Sequence, residues 1–141
     1  MYYHIVVVCF CIIIAIIDLK TYRIPDTLLV FFALFMIIAE WDQLYTLILI
    51  RIAAAMLSGF LFAIILFHSK GIGFGDVKFA AVLGYLLGYE GLVHAFFITA
   101  VLGIIIYLTG IVLFHWPKTT KIPFAPFMSA GAIMSITGGM Q

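Results

Sequence analysis

From Tyr2 to Ile17 the chain runs without a single Asp, Glu, Lys or Arg, and from Leu92 to Phe114 it does so again. Runs of about 20 apolar residues are what crossing a bilayer as a helix requires. In hydrocarbon, a helix is one of the few ways to satisfy every backbone amide and carbonyl. Composition extends the constraint to the whole sequence. Of 141 residues, 67% are hydrophobic and only 9% charged, whereas soluble domains carry roughly a quarter charged residues. An all-α, polytopic membrane protein is expected, as one membrane-embedded domain over residues 1–141. A net charge of +1 leaves no electrostatic footprint for nucleic acid.

Breakers and charges divide the chain into six expected helical segments. The first, Tyr2 to Ile17, ends at Asp18-Leu-Lys-Thr-Tyr-Arg23. No basic residue precedes it and no small-residue cleavage site follows it, so it reads as a retained span. Pro25 suits the first turn of a second helix reaching about Ala39, with Ile24 before it biased to extended backbone. A third runs from about Leu44 to Phe67, with Arg51 near its start placed to snorkel. A glycine stretch, Gly71-Ile-Gly-Phe-Gly-Asp76, leads to a short helix from Val77 to about Leu87. That segment falls below the length of a full span, so it is expected to be buried in protein. Its Ala80, Gly84 and Gly88 recur every fourth residue, a spacing that lets helices approach closely in lipid. A fifth segment covers Leu92 to Phe114, and a sixth runs from about Phe124 to Met140.

Charge then sets an orientation. With the N-terminus outside, the inward loops and their edges carry Lys20, Arg23, Lys70, Lys78, Lys118 and Lys121. The outward ones carry Glu40, Asp42 and Glu90, with Arg51 the nearby basic residue. This is a positive-inside distribution. Asp18 and Asp76 thereby come to the same, cytoplasmic, side.

Those two aspartates are the candidate chemistry, because ionisable groups at membrane depth are costly and tend to be functional. Asp76 precedes a helical run and is expected to cap it. Asp18 falls at the C-terminal end of its helix, where an anion is disfavoured; Lys20 or Arg23 would be its structural partners. A carboxylate in a poor position and one at a helix N-terminus suit an acid and a base, the division that hydrolysis by two carboxylates requires. The glycines permit close backbone approach at Asp76, but their spacing matches no phosphate-binding loop. Asp26, in a first helical turn, is expected to serve the helix dipole. The four histidines and two cysteines show no metal-ligand spacing, and no cofactor is expected.

Gly73-Phe-Gly-Asp76, followed by Val-Lys78-Phe-Ala-Ala-Val-Leu-Gly84, resembles the GxGD segment of type IV prepilin peptidases. Asp18-Leu-Lys-Thr-Tyr-Arg-Ile-Pro25-Asp26 is similar to their first aspartate motif, and Ile122-Pro123-Phe-Ala-Pro126-Phe127 to the proline-rich lead-in to their last helix. The resemblance implies an aspartic endopeptidase of the membrane that uses Asp18 and Asp76. Gly73, Gly75, Lys78, Pro25, Pro123 and Pro126 would form its supporting turns. The implied substrate is a pilin-like precursor with a short basic leader and an apolar N-terminal helix, cut at the cytoplasmic face of a bacterial or archaeal membrane. Asp26 stands where the family usually has Asn, and Ala125 where it usually has Gly. The paired CxxC region of the two-function members is absent from this sequence, so a peptidase-only member without product methylation is expected. A small ion-coupled transporter and a silent assembly partner of a secretion system are the rival functions.

Overall fold

The computed structural model describes residues 2–39, 44–68, 73–115, 117 and 122–139. Lys70, Gly71, Ile72, Lys118, Lys121, Glu40, Asp42 and Met140, used above for orientation or segment ends, lie outside the described residues.

Helices account for the architecture: α1 (Tyr2–Thr21), α2 (Asp26–Ala39), α3 (Leu44–His68), α4 (Phe74–Phe114) and α5 (Ala125–Thr137). Within them, Tyr3–Thr21, Ile48–His68 and Phe74–Phe114 are long and apolar enough to cross a membrane, while α2 and α5 are shorter apolar helices. Large apolar side chains such as Ile12, Val30, Leu49, Phe60 and Ile105 are exposed. Helices that are apolar all round belong in lipid or in a large core, and these fit a membrane protein.

The expected fourth and fifth segments form one continuous element broken at Gly88, whose φ of 62° and ψ of −165° are not helical. That pair of angles is reached essentially only by glycine. A side chain there would have open space, so the backbone conformation, not crowding, calls for the glycine. Gly88 therefore breaks the helix and does not extend the close-packing stripe. Ala80 and Gly84 keep that role. A Cβ on Gly84 would collide with Ser58 Oγ and stand 2.6 Å from the Ala54 carbonyl. The Ser58 hydroxyl crosses between α3 and α4, donating to Ala80 O at 2.9 Å, with Ala55 O an alternative acceptor at 3.0 Å. Arg51, expected to snorkel, lies with its guanidinium 6.0 Å from the Tyr85 ring centroid.

Beyond Gly88, α4 packs on α5 in antiparallel register. Ser135 Oγ donates to Gly91 O, Gly131 faces Ala95, and Thr99 Oγ1 reaches Phe127 O at 3.2 Å. α1 and α2 meet through stacked rings, Phe10 on Phe32 at 4.9 Å and Tyr3 on Phe35 at 6.2 Å.

The buried stripe of α1 is Val7, Cys11, Ile14 and then Asp18. Spacings of four, three and four keep these on one helix face, so the periodicity that buries the apolar residues also carries the carboxylate inward. The buried face of α4 works the same way: Asp76, Phe79, Leu83 and Leu86.

Candidate active site

Asp76 does cap α4, but not from the position expected. The helix starts at Phe74, three residues before the sequence-based start, with Gly73 as its N-cap. Asp76 is thus the third helical residue, and its Oδ2 accepts the Gly73 N–H at 2.9 Å. Its own N–H donates back to Gly73 O at 3.1 Å. A capping box normally uses a side chain at both ends. Gly73 has none, so the carboxylate supplies one half and backbone the other. Among the described residues, Asp76 Oδ1 is buried without a hydrogen-bond partner. Buried unsatisfied oxygens are uncommon and tend to mark function.

Asp18 is 4% exposed. It lies one turn before the end of α1, where the helix dipole disfavours it. Its Oδ2 accepts the N–H of Ala125, the first residue of α5, at 3.2 Å. That amide is the positive end of another helix dipole, which offsets the poor position in α1. Pro126 has no N–H, and the Phe127 and Met128 amides donate to Phe124 O at 3.1 Å. The proline-rich lead-in thus leaves the Ala125 amide to Asp18. Lys20 and Arg23, offered above as partners of Asp18, are exposed. The contrast expected between a carboxylate at a helix C-terminus and one at a helix N-terminus is smaller than the sequence suggests, since both accept an amide at a helix start.

Asp18 and Asp76 are brought to one end of the bundle, Asp18 by the turn that follows α1 and Asp76 by the start of α4, against which that turn packs. Local turns produce that approach. After Thr21, Tyr22 takes the left-handed conformation, φ 52°, and its N–H donates to Asp18 O at 2.8 Å. Thr21 Oγ1 accepts the Arg23 N–H at 3.3 Å and completes a tight reversal. Pro25 O then accepts the Leu28 and Leu29 amides that start α2. Buried Ile24 lies against Gly75, where an added Cβ would stand 3.1 Å from Ile24 Cβ. Gly75 lets the α1–α2 turn pack closely on the start of α4.

Asp26 and Lys78 lie on the outer side of this contact. Lys78 Nζ is 2.6 Å from Asp26 Oδ2, with side-chain exposures of 44% and 66%. Asp26, expected to serve the α2 dipole, does occupy its first turn, and it also bridges to α4. Pro123 precedes the α5 start as expected, and Pro126 occupies its first turn. The Ala125 amide and the seat of Ile24 were not foreseen. The nearest sequence signal was the pair of prolines, which shows which amides are missing but not what the remaining one binds.

Chemically, the site holds two buried carboxylates at one end of the bundle, each steadied through one oxygen, with Asp76 Oδ1 uncommitted. Such a pair is suited to share one proton and to act as acid and base in turn.

Residues 5–108, which include both aspartates, match the model of the type IV leader peptidase family. The chain is 33% identical over 134 residues to a prepilin leader peptidase/N-methyltransferase of Bacillus subtilis strain 168, covering 91% of this chain and 52% of that protein. Proteins of the same description in Burkholderia pseudomallei strains 1026b and K96243 are 36% identical over 70 residues, covering 50% of this chain and 23% of theirs. The chain thus spans about half the length of the Bacillus relative. No solved structure is matched. The breadth of these matches makes the chain a member of the type IV leader peptidase family.

Proposed function

We propose that this chain is a membrane aspartic endopeptidase that removes the short basic leader of type IV pilin-like precursors at the cytoplasmic face, with Asp18 and Asp76 as its catalytic pair. The observation that supports the proposal is the burial of two carboxylates, each anchored by one backbone amide at a helix start, with an unpartnered oxygen on Asp76. In peptide hydrolysis by such a pair, the ionised carboxylate takes a proton from water as its oxygen attacks the scissile carbonyl. The protonated one donates to the carbonyl oxygen. Collapse of the tetrahedral intermediate then delivers a proton to the leaving amine, and the pair returns to its singly protonated state. The balance needs only water. Membranes carrying the protein should shorten a pilin-like precursor by its leader. Precursors whose Gly before the cleavage point is replaced by a bulky residue should resist. If they are cut equally well, the substrate assignment falls.

The same proposal places six spans in a bacterial or archaeal cytoplasmic membrane, α4 contributing one on each side of Gly88, with both termini outside. Support comes from the positive charge of the α1–α2 turn, where Lys20 and Arg23 are exposed. In a variant lacking Cys9 and Cys11, Lys20→Cys should react with an impermeant maleimide from the cytoplasmic side alone. Reaction only from the outer side would invert the map and detach the pair from cytoplasmic leaders.

A further inference from the structure

We infer that Ile24, Asp26 and Lys78 form a two-point clamp that sets the separation of the two aspartates, with Asp26 and Lys78 acting as positioning residues. Asp18 and Asp76 belong to helices whose ends are not joined by a short loop. Asp18 is continuous with the turn at residues 22–25, and Asp76 with the first turn of α4. The distance between the carboxylates therefore depends on how firmly that turn is held to α4. One contact is apolar and tight: Ile24 against Gly75, the residue next to Asp76. The second is ionic: Lys78, two residues past Asp76, reaches Asp26, two residues past Ile24, at 2.6 Å. The two contacts are spaced two residues apart on one segment and three on the other, so together they resist sliding and rotation that either alone would permit. Lys78 is held from a further side, its Nζ lying 5.8 Å from the Phe74 ring centroid. Phe74 is the first residue of α4, so the lysine is tied to the same turn that presents Asp76.

This clamp rests on the functional proposal only for its kinetic test, and a distance measurement reads it separately. An exposed ion pair is a weak interaction, so neutralising it should loosen the clamp without unfolding the protein. Asp26→Asn and Lys78→Gln should each lower kcat about two- to fivefold while KM for the precursor stays constant. Lys78→Asp alone should cost more, since it sets a new carboxylate against Asp26. The reversed pair, Asp26→Lys with Lys78→Asp, should return kcat to within about twofold of the parent, because like-for-like reversal restores the attraction.

Nitroxides at exposed Leu19 and Phe74, in a background lacking Cys9 and Cys11 and with the Phe74 ring contact removed alike from parent and variants, should show a distance distribution that broadens in Lys78→Asp and narrows again in the reversed pair. Three results would overturn the clamp. The reversed pair could remain as slow as its poorer single variant. The loss could appear in KM alone, which would make Asp26 a contact for the basic leader. Or the label distances could be indifferent to Lys78→Asp. If the distances behave as expected while the parent protein cuts no precursor, the clamp stands and the assignment to leader removal falls.

Discussion

Asp18→Asn and Asp76→Asn should each abolish leader removal, by at least about a thousandfold, while the proteins remain folded and inserted. The substitution is chosen for its geometry. An asparagine at either position keeps a carbonyl oxygen that accepts the anchoring amide, Ala125 N–H for residue 18 and Gly73 N–H for residue 76. What it removes is the ability to take or give a proton. Alanine would be a poorer probe at 76, since losing the cap costs about 1 kcal/mol and would mix unfolding with chemistry. Because the carboxylates act as one unit, the double Asn variant should be no slower than either single, the non-additivity seen when a constellation is already broken. Activity of the parent should follow a bell in pH, since one proton must be present and one absent. Asp26→Asn is the internal control. Its side chain is exposed and paired with Lys78, so it should stay active, losing no more than the about two- to fivefold expected of a broken surface ion pair. Near-normal turnover in either single variant at 18 or 76, with Asp26→Asn inactive, would reduce the Gly73–Asp76 turn to a helix cap and move the chemistry elsewhere.

The two aspartates were legible in the sequence because a carboxylate in an otherwise apolar chain is costly and needs a reason. Val7, Cys11, Ile14 and Asp18 share the buried stripe of α1, though in a run apolar all round the structure, not the spacing, shows which face is buried. The end of the short fourth segment was also legible, since Gly88 follows Leu87 and marks the break in α4. Its beginning was not. The usual signal for a capping box is a hydroxyl residue three before an acid, and Gly73 offers no side chain. The helix therefore starts earlier than the run of apolar residues suggests. Partnerships between distant segments were invisible for a different reason. The Asp18–Ala125 and Lys78–Asp26 contacts join residues 107 and 52 positions apart. Nothing in local spacing distinguishes a lysine paired across a helix boundary from one facing water. The same holds for Thr99 and Ser58, whose hydroxyls bond to carbonyls of neighbouring helices. In lipid such polar crossings and small residues, not apolar burial, select helix partners. A hydrophobic pattern shows which segments enter the membrane but not which of them touch.

Gly84 gives the sharpest test of that packing. Gly84→Leu should prevent stable accumulation of the folded protein, and Gly84→Ala should destabilise it by roughly 1–3 kcal/mol, the usual range for overpacking a filled site. Even one methyl would collide with Ser58 Oγ, and it would stand 2.6 Å from Ala54 O and 2.9 Å from Ala55 Cα. Two of these neighbours are backbone and cannot rotate away, so α3 and α4 would have to separate. Separation stretches the Ser58–Ala80 hydrogen bond and shifts the arm of α4 that carries Asp76, so activity should fall with stability. Ser58→Ala in the Gly84→Ala background should restore only part of the loss, because it clears the hydroxyl and leaves the backbone contacts. Gly103→Ala is the matched control. It lies in the same helix with open space where its Cβ would go, and alanine's better helix propensity, worth up to about 1 kcal/mol, should leave stability unchanged or slightly higher. Thermal unfolding in a single detergent reads the three variants that accumulate, and the amount of folded protein recovered from membranes reads Gly84→Leu. Equal melting temperatures for Gly84→Ala and Gly103→Ala would mean that α3 and α4 do not meet at Gly84. The close approach that seats Asp76 against the rest of the bundle would then need another source.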